Sequence, residues 1–312
     1  MPIEFTHVPG KIHPADAGFF YDFVETATKL SLIGDAGFRK IVVDDQAGLL
    51  TNMDIAAQAL DRTSSLEVVL THWAGVIEPT VAARQLAALD AKSGGRLSLR
   101  MLSEPLSDDD AETRPAGHTA VWQRIDEYLV LLKRLWSNDR PFDHEGAFYS
   151  IKDGYVPRKG PHGADVTIRM GGQSGTALKV AGRHADIFEL TPGSLDEIRQ
   201  MMQRVRSAAA EHGRAGKLRF ALPVRIRPEH NASGHKSVDV SGPPAQIALS
   251  LFPYAGLGIH EFMIAGVDRP REIATAGRET IALLRNSLAR READVPQPGA
   301  FAPRTVREAR AR

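Results

Sequence analysis

The 312-residue chain contains no cysteine, which excludes disulfides, thiolate metal sites and a cysteine nucleophile. A metal would have to rest on His and carboxylates. The histidines form no H-x-H pair after the first strand and no H-E-x-x-H helix, so no metal site is expected. A G-x-x-x-x-G-K-[ST] phosphate loop and a G-x-S-x-G elbow are also missing. Charge of either sign is not in excess: 39 Lys and Arg against 38 Asp and Glu give a net charge of +1. Nothing in that balance recruits nucleic acid or an acidic membrane, and the basic stretch Arg304–Arg312 lacks interleaved aromatics and reads as a solvated tail. No apolar run is long enough to span a bilayer, and Met1–Gly10 carries neither a basic region nor an apolar leader. A cytoplasmic protein with a small-molecule partner is the expectation.

Short β-branched or apolar runs alternate with longer segments of helical periodicity, the pattern of a parallel sheet crossed by helices. Eight strands are expected, at Ile3–Val8, Lys40–Asp44, Leu66–Thr71, Leu97–Leu102, Val166–Met170, Ala185–Glu189, Arg219–Arg225 and Glu261–Ala265. A last helix follows at about Arg271–Ala289. Eight such units predict a single α/β domain over 1–290, a closed (β/α)8 TIM barrel, with an open doubly wound sheet as the competing topology. In His118–Trp136, residues Trp122, Ile125, Leu129, Leu132 and Trp136 form one apolar helical stripe. The loop 104–117 before it is polar and carries two prolines, and lies where a lid over the barrel mouth would be. A hairpin is expected at 141–151, and Pro228–Pro244 and the Pro-rich basic tail 291–312 read as polar connecting and loosely ordered segments.

Two stretches carry more than fold. Pro79-Thr80-Val81-Ala82-Ala83-Arg84-Gln85 continues through Leu89-Asp90 to Ser93-Gly94-Gly95-Arg96-Leu97: a helix opened by proline and stopped by Gly-Gly before a strand. Gly171-Gly172-Gln173-Ser174-Gly175 leaves strand five and opens a helix at Thr176-Ala177. Glycine-exposed amides at a helix start, with a hydroxyl beside them, bind phosphate, although a bare Gly-rich turn is more often structural. His72 and Trp73 follow strand three and His7 ends strand one, so all three are expected at the barrel mouth. Arg225 on strand seven is either an anion clamp or a salt-bridged strand end.

The string Pro79–Leu99 resembles the PTVAARQxAxLDxxSGGRLxL stretch of luciferase-like flavin monooxygenases, especially the alkanesulfonate monooxygenase branch. Gly171–Ala177 is similar to the family's Gly-Gly-Ser-Ser turn. Phe142–Tyr149 and Leu257–Phe262 look like further scaffold marks, so that the likeness runs from about residue 35 to 288, weakening after 225. The resemblance implies a flavin phosphate held at Gly171, Gly172, Gln173, Ser174 and Gly175. It places Ser103 near the isoalloxazine edge and His118 and Trp122 beside the phosphate or ribityl chain. Trp122 stands where the family has a tyrosine, and lies on the apolar stripe. Thr51 or Asn52 replaces the aspartate expected after strand two, and strand seven lacks the family's Arg and His pair. By the same resemblance His72, Trp73 and Arg225 would serve catalysis or substrate. The implied activity is a reduced-FMN monooxygenase using O2 on an alkanesulfonate or other small organic substrate. Reduced flavin would come from a separate NAD(P)H-dependent flavin reductase, and the chain would form a homodimer or homotetramer. The alternatives are an F420-dependent hydride-transfer oxidoreductase and a non-catalytic flavin-binding or structural subunit.

Overall fold

The structure is a computed structural model that describes residues 3–10, 23–44, 51–102, 115–227 and 238–294. The first half alternates β1 (Glu4–Val8), α1 (Phe23–Asp35), β2 (Lys40–Val43), α2 (Asn52–Arg62), β3 (Glu67–Trp73), α3 (Pro79–Ser93), β4 (Leu97–Leu102) and α4 (Pro115–Ser137). A hairpin, β5 (Phe142–Glu145) and β6 (Ser150–Gly154), precedes β7 (Thr167–Gly171), α5 (Gly175–His184), β8 (Ile187–Glu189), α6 (Leu195–Ala210) and β9 (Arg219–Arg227). The chain continues with β10 (Val238–Ser241), α7 (Pro244–Gly256), β11 (Glu261–Ala265), and α8 (Pro270–Thr275), which runs through a π-helical turn into α9 (Ala282–Asp294).

All pairings of the large sheet are parallel, in the order β9-β11-β1-β2-β3-β4-β7-β8, and β8 pairs back onto β9. The eight strands therefore close, and the open-sheet alternative is excluded. A ninth strand, β10, pairs with Val224–Arg227 of β9 above the level at which β8 holds Arg219–Ala221. It raises the wall at the C-terminal rim, in a stretch expected to be only a polar connection. The hairpin is antiparallel and reaches Gly154, and the long helix begins at Pro115 rather than His118. Segments 103–114, 228–237 and 295–312, with most of the expected lid and the tail, lie outside the described residues.

Alternation along each strand sorts side chains to two faces. Ile41, Val43, Val68, Leu70, Leu97, Leu99, Met101, Phe188, Phe220, Leu222, Phe262 and Ile264 join the helices in one continuous core. Their neighbours Val42, Val69, Ile187, Ala221 and Met263 form a separate small cluster, the apolar middle of the barrel lumen. On α4, Ile125, Leu129, Leu132 and Trp136 are buried against that outer core, each worth roughly 1.5–3 kcal/mol. The Trp136 indole N–H donates to the Ala83 carbonyl at 2.9 Å, which locks α4 to α3.

Candidate active site

The C-terminal ends of the strands bring Asp44, Trp73, Arg100, Gly171, Glu189 and Arg225 to one rim, the face on which barrels of this kind carry their sites. The Gly-rich turn leaves β7 at this rim. Ser174 is the N-cap of α5, its Oγ accepting from the Ala177 amide at 3.2 Å. The Gly175 and Thr176 amides occupy the first turn, where an α-helix has no internal acceptors. Gln173, Ser174 and Gly175 are exposed, and among the described residues nothing beyond the adjoining backbone lies within 4 Å of where a Cβ of Gly175 would stand. Gly172 has φ +140°, open to glycine and strained for other residues. Gln173 ties the turn to the segment after β8, its side-chain amide donating to Thr191 Oγ1 at 2.9 Å, and Arg204 reaches the Gln173 carbonyl from α6 at 3.4 Å. The residues thus fit a phosphate: free amides, a hydroxyl hydrogen left on Ser174, a positive helix end and open space.

Trp122 lies across this turn. It is half-buried, and its ring lies beside Gly172. It therefore packs and also borders the turn, a combination the apolar stripe alone did not disclose. His118 belongs to α4, but its side chain, like all of Ser103, is outside the described residues.

The expected positions of two histidines need correction. β3 extends through Trp73, so His72 and Trp73 point to opposite faces. His72 turns away from the lumen toward α4, where its Nε2 meets the Tyr128 hydroxyl at 2.8 Å and the two rings stack. Burial pushes its pKa down to about 4 and so keeps it neutral. His7 likewise faces outward, its Nε2 2.8 Å from the Val267 carbonyl and its ring edge-on to Phe38. Neither reaches the mouth. Trp73 keeps the lumen side and is partly exposed there. Arg225 is exposed at the rim, and no hydrogen bond or ion pair of its side chain occurs among the described residues. Thr51 caps α2 with Asp54 in a reciprocal box, Asn52 donates to the Thr71 carbonyl at 3.1 Å, and Asp44 directly follows β2 at the rim.

A ladder of charges fills the lumen beneath the mouth. Lys40 contacts Glu4 at 3.1 Å, Glu67 at 3.6 Å and Glu261 at 3.3 Å. Arg169 holds Glu261 through two nitrogens, at 2.6 and 3.0 Å, and Glu189 through Nε at 3.1 Å. Thr6 donates to Glu261 at 2.6 Å. Glu189 also accepts from Arg100 Nε at 2.7 Å, and Arg100 Nη1 lies 3.6 Å from Asp44. Burial alone would push Glu261 up, but Arg169 and Lys40 hold it down to about 2. Burial likewise opposes ionisation of Glu189, and the two arginines, Arg100 first, keep it ionised. Arg100, Arg169, Glu189 and Glu261 are charges in otherwise apolar strands, at lumen-facing phase, which is the sequence signal of such a ladder.

No group of three or more potential metal ligands occurs among the described residues, and no described helix is long and apolar enough to cross a membrane.

A closed parallel barrel with an anion-ready helix start and a charged floor at its C-terminal rim has the layout of a ligand-binding barrel enzyme. The chain belongs to the luciferase-like monooxygenase family, whose model matches residues 14–233. It is 28% identical over 172 residues to an FMNH(2)-dependent dimethylsulfone monooxygenase of Pseudomonas putida, covering 54% of this chain and 46% of that protein. A sulfoquinovose monooxygenase of Agrobacterium fabrum is 28% identical over 211 residues, 66% of this chain and 50% of its own length. The matched part thus spans about half the length of these relatives. Among solved structures, a long-chain alkane monooxygenase superposes with a TM-score of 0.77 at 14% identity, covering 94% of this chain and 92% of that one. A coenzyme F420 dependent tetrahydromethanopterin reductase from Methanopyrus kandleri gives 0.73 at 15% identity, covering 90% and 99%. These likenesses are of fold.

Proposed function

We propose that this protein is the oxygenase component of a two-component flavin system: it takes reduced FMN from a separate flavin reductase and inserts one atom of O2 into a small organosulfur compound, an alkanesulfonate or similar. The observation that carries the reading is the open start of α5, where Gly172, Ser174 and Gly175 offer amides and a hydroxyl to a phosphate beside Trp122. Bound reduced flavin supplies the two electrons that, with O2, yield oxygenated product, oxidised flavin and water. For a sulfonate the balance is one sulfonate, one O2 and one reduced flavin going to an aldehyde, sulfite, water and oxidised flavin. The chain's own part is to hold and exclude. Ser174 and its neighbouring amides anchor the phosphate, Ser103 and His118 are assigned to the ring edge and ribityl chain, and Trp73 forms an apolar wall. Arg225, exposed and without an ion-pair partner among the described residues, receives the anionic end of the substrate. The names of the two sulfur-directed relatives support this substrate class.

The test is an anaerobic titration of tryptophan fluorescence with reduced FMN, oxidised FMN and F420. Selective binding of reduced FMN, followed by sulfite release from sulfonates in the presence of a reductase, is the expected result. Preference for F420 would move the assignment to hydride transfer. Binding of reduced FMN without any oxygen consumption would leave a non-catalytic flavin-binding subunit.

A further inference from the structure

We propose that Arg100 is the residue by which this protein tells reduced from oxidised flavin, with Glu189 as its positioning residue; this rests on the flavin reading of the same mouth. Four observations carry it.

Arg100 stands on the lumen face of β4, in register with Arg169 of β7, the strand that delivers the Gly-rich turn two residues later. A second arginine beside a buried one costs stability through like-charge repulsion. It is kept in place because Glu189 accepts from both, at 2.7 and 3.1 Å. The side chain of Arg169 is wholly buried, whereas that of Arg100 is 21% exposed and forms the upper end of the ladder. Glu189 is thus shared between two cations, and Asp44 at 3.6 Å is the second carboxylate near Arg100.

Among the described residues only Nε of Arg100 makes a hydrogen bond, Nη1 has a loose 3.6 Å approach to Asp44, and Nη2 has no partner. The free edge of a planar fork held by Glu189 is aimed away from it, and that edge matches two adjacent acceptors in one plane. On the neighbouring strand, in register with Arg100, Thr71 Oγ1 is buried without a hydrogen-bond partner among the described residues, and so is Ser98 Oγ one layer below. An unused hydroxyl at the level of the Arg100 guanidinium, on the adjacent strand, points to a polar ligand above the floor, because unpaired buried polar groups are costly.

The chemical group that fits is the pyrimidine edge of an isoalloxazine, with a ring nitrogen and carbonyl oxygens in one plane. That edge accepts hydrogen bonds in both redox states but gains negative charge on two-electron reduction. A guanidinium therefore favours the reduced form.

The experiment measures anaerobic dissociation constants for reduced and oxidised FMN in the wild type, Arg100→Gln and Arg100→Lys, together with the midpoint potential of the bound flavin. Because Arg100→Gln leaves the buried Glu189 with one partner fewer, the double variant Arg100→Gln/Glu189→Gln is run beside it, with thermal unfolding as a check on folding. In Arg100→Gln and the double variant the preference for reduced flavin should fall about tenfold or more, the scale of a lost charge-assisted hydrogen bond, while oxidised FMN binds nearly as before. Arg100→Lys should retain part of it. An unchanged preference in a folded variant overturns the assignment and leaves the flavin reading standing. So does a loss of methanesulfonate binding with flavin preference intact, which would place Arg100 in the substrate site. A wild type that binds neither form of FMN overturns both.

Discussion

Trp122 and Gly172 meet so closely that a β-carbon on Gly172 would stand 3.2 Å from Cζ2 of the indole and 2.7 Å from Cβ of Ala177. The two residues fix where the backbone of the Gly-rich turn can run. Gly172→Ala adds that atom at a φ of +140°. It should cost about 1–3 kcal/mol in urea unfolding and weaken reduced-FMN binding at the same time. An unaltered midpoint would show that the turn yields freely.

Trp122→Tyr restores a phenol beside the turn at the expense of ring area. If the phosphate lies against this helix end, affinity for reduced FMN should rise several-fold, the scale of one added hydrogen bond of about 1 kcal/mol. Calorimetric titration reads it, and weaker binding would mark the indole as a needed wall.

Ser174 has two roles that one pair of variants separates. Ser174→Ala removes the cap on the Ala177 amide and should lower stability by about 1 kcal/mol as well as flavin affinity. Ser174→Asp caps equally well but sets a negative charge where the phosphate would sit, so stability should hold while FMN binding is lost. Equal flavin binding in Ser174→Asp would remove the phosphate from this site.

Acid sensitivity follows from His72. Its folded pKa, near 4, lies below the ordinary 6.5, so the unfolded chain takes the proton first. Its contribution is complete above pH 6.5 and is lost as pH falls from 6.5 toward 4, by at most about 3 kcal/mol. Burial lowers His7 and His184 in the same sense. His72→Gln, able to bond Tyr128 without titrating, should flatten the change in urea midpoint between pH 7.5 and 5; an equal slope in both proteins would exclude His72 as a source.

Glu261→Gln removes the carboxylate shared by Arg169, Lys40 and Thr6. Leaving two buried cations undercompensated should cost about 3–5 kcal/mol. In the wild type, Glu261 supports folding above about pH 4.5, and that support is lost as pH drops toward 2. Thermal melts of the variant at pH 7 check the first statement.

The alternation of strands and helices was readable because each strand is a short apolar run with a clear boundary, as in Leu97–Leu102, found at its expected limits. β10 was not, since its four residues sit in a Gly- and Pro-rich stretch and gain their status from pairing with β9. His72 was misplaced by a matter of phase. With the strand ended at Thr71, both following residues appear to spill onto the rim; two more residues of extended chain send His72 outward and only Trp73 inward. The turn at Gly171–Gly175 was visible as a local motif. Arg100, Glu189 and Asp44 were passed over because their meaning lies in contacts between residues 56 and 89 positions away along the chain.

The charge ladder joins β1, β2 and β3 to β7, β8 and finally β11, the last strand made. During synthesis, Lys40 and Arg169 are thus in place long before Glu261 leaves the ribosome. An incomplete barrel leaves Lys40 with only Glu4 and Glu67 and Arg169 with only Glu189, and it lacks the strand that joins β9 to β1, so fragments cut before residue 261 should stay open and be degraded rather than accumulate as half-barrels.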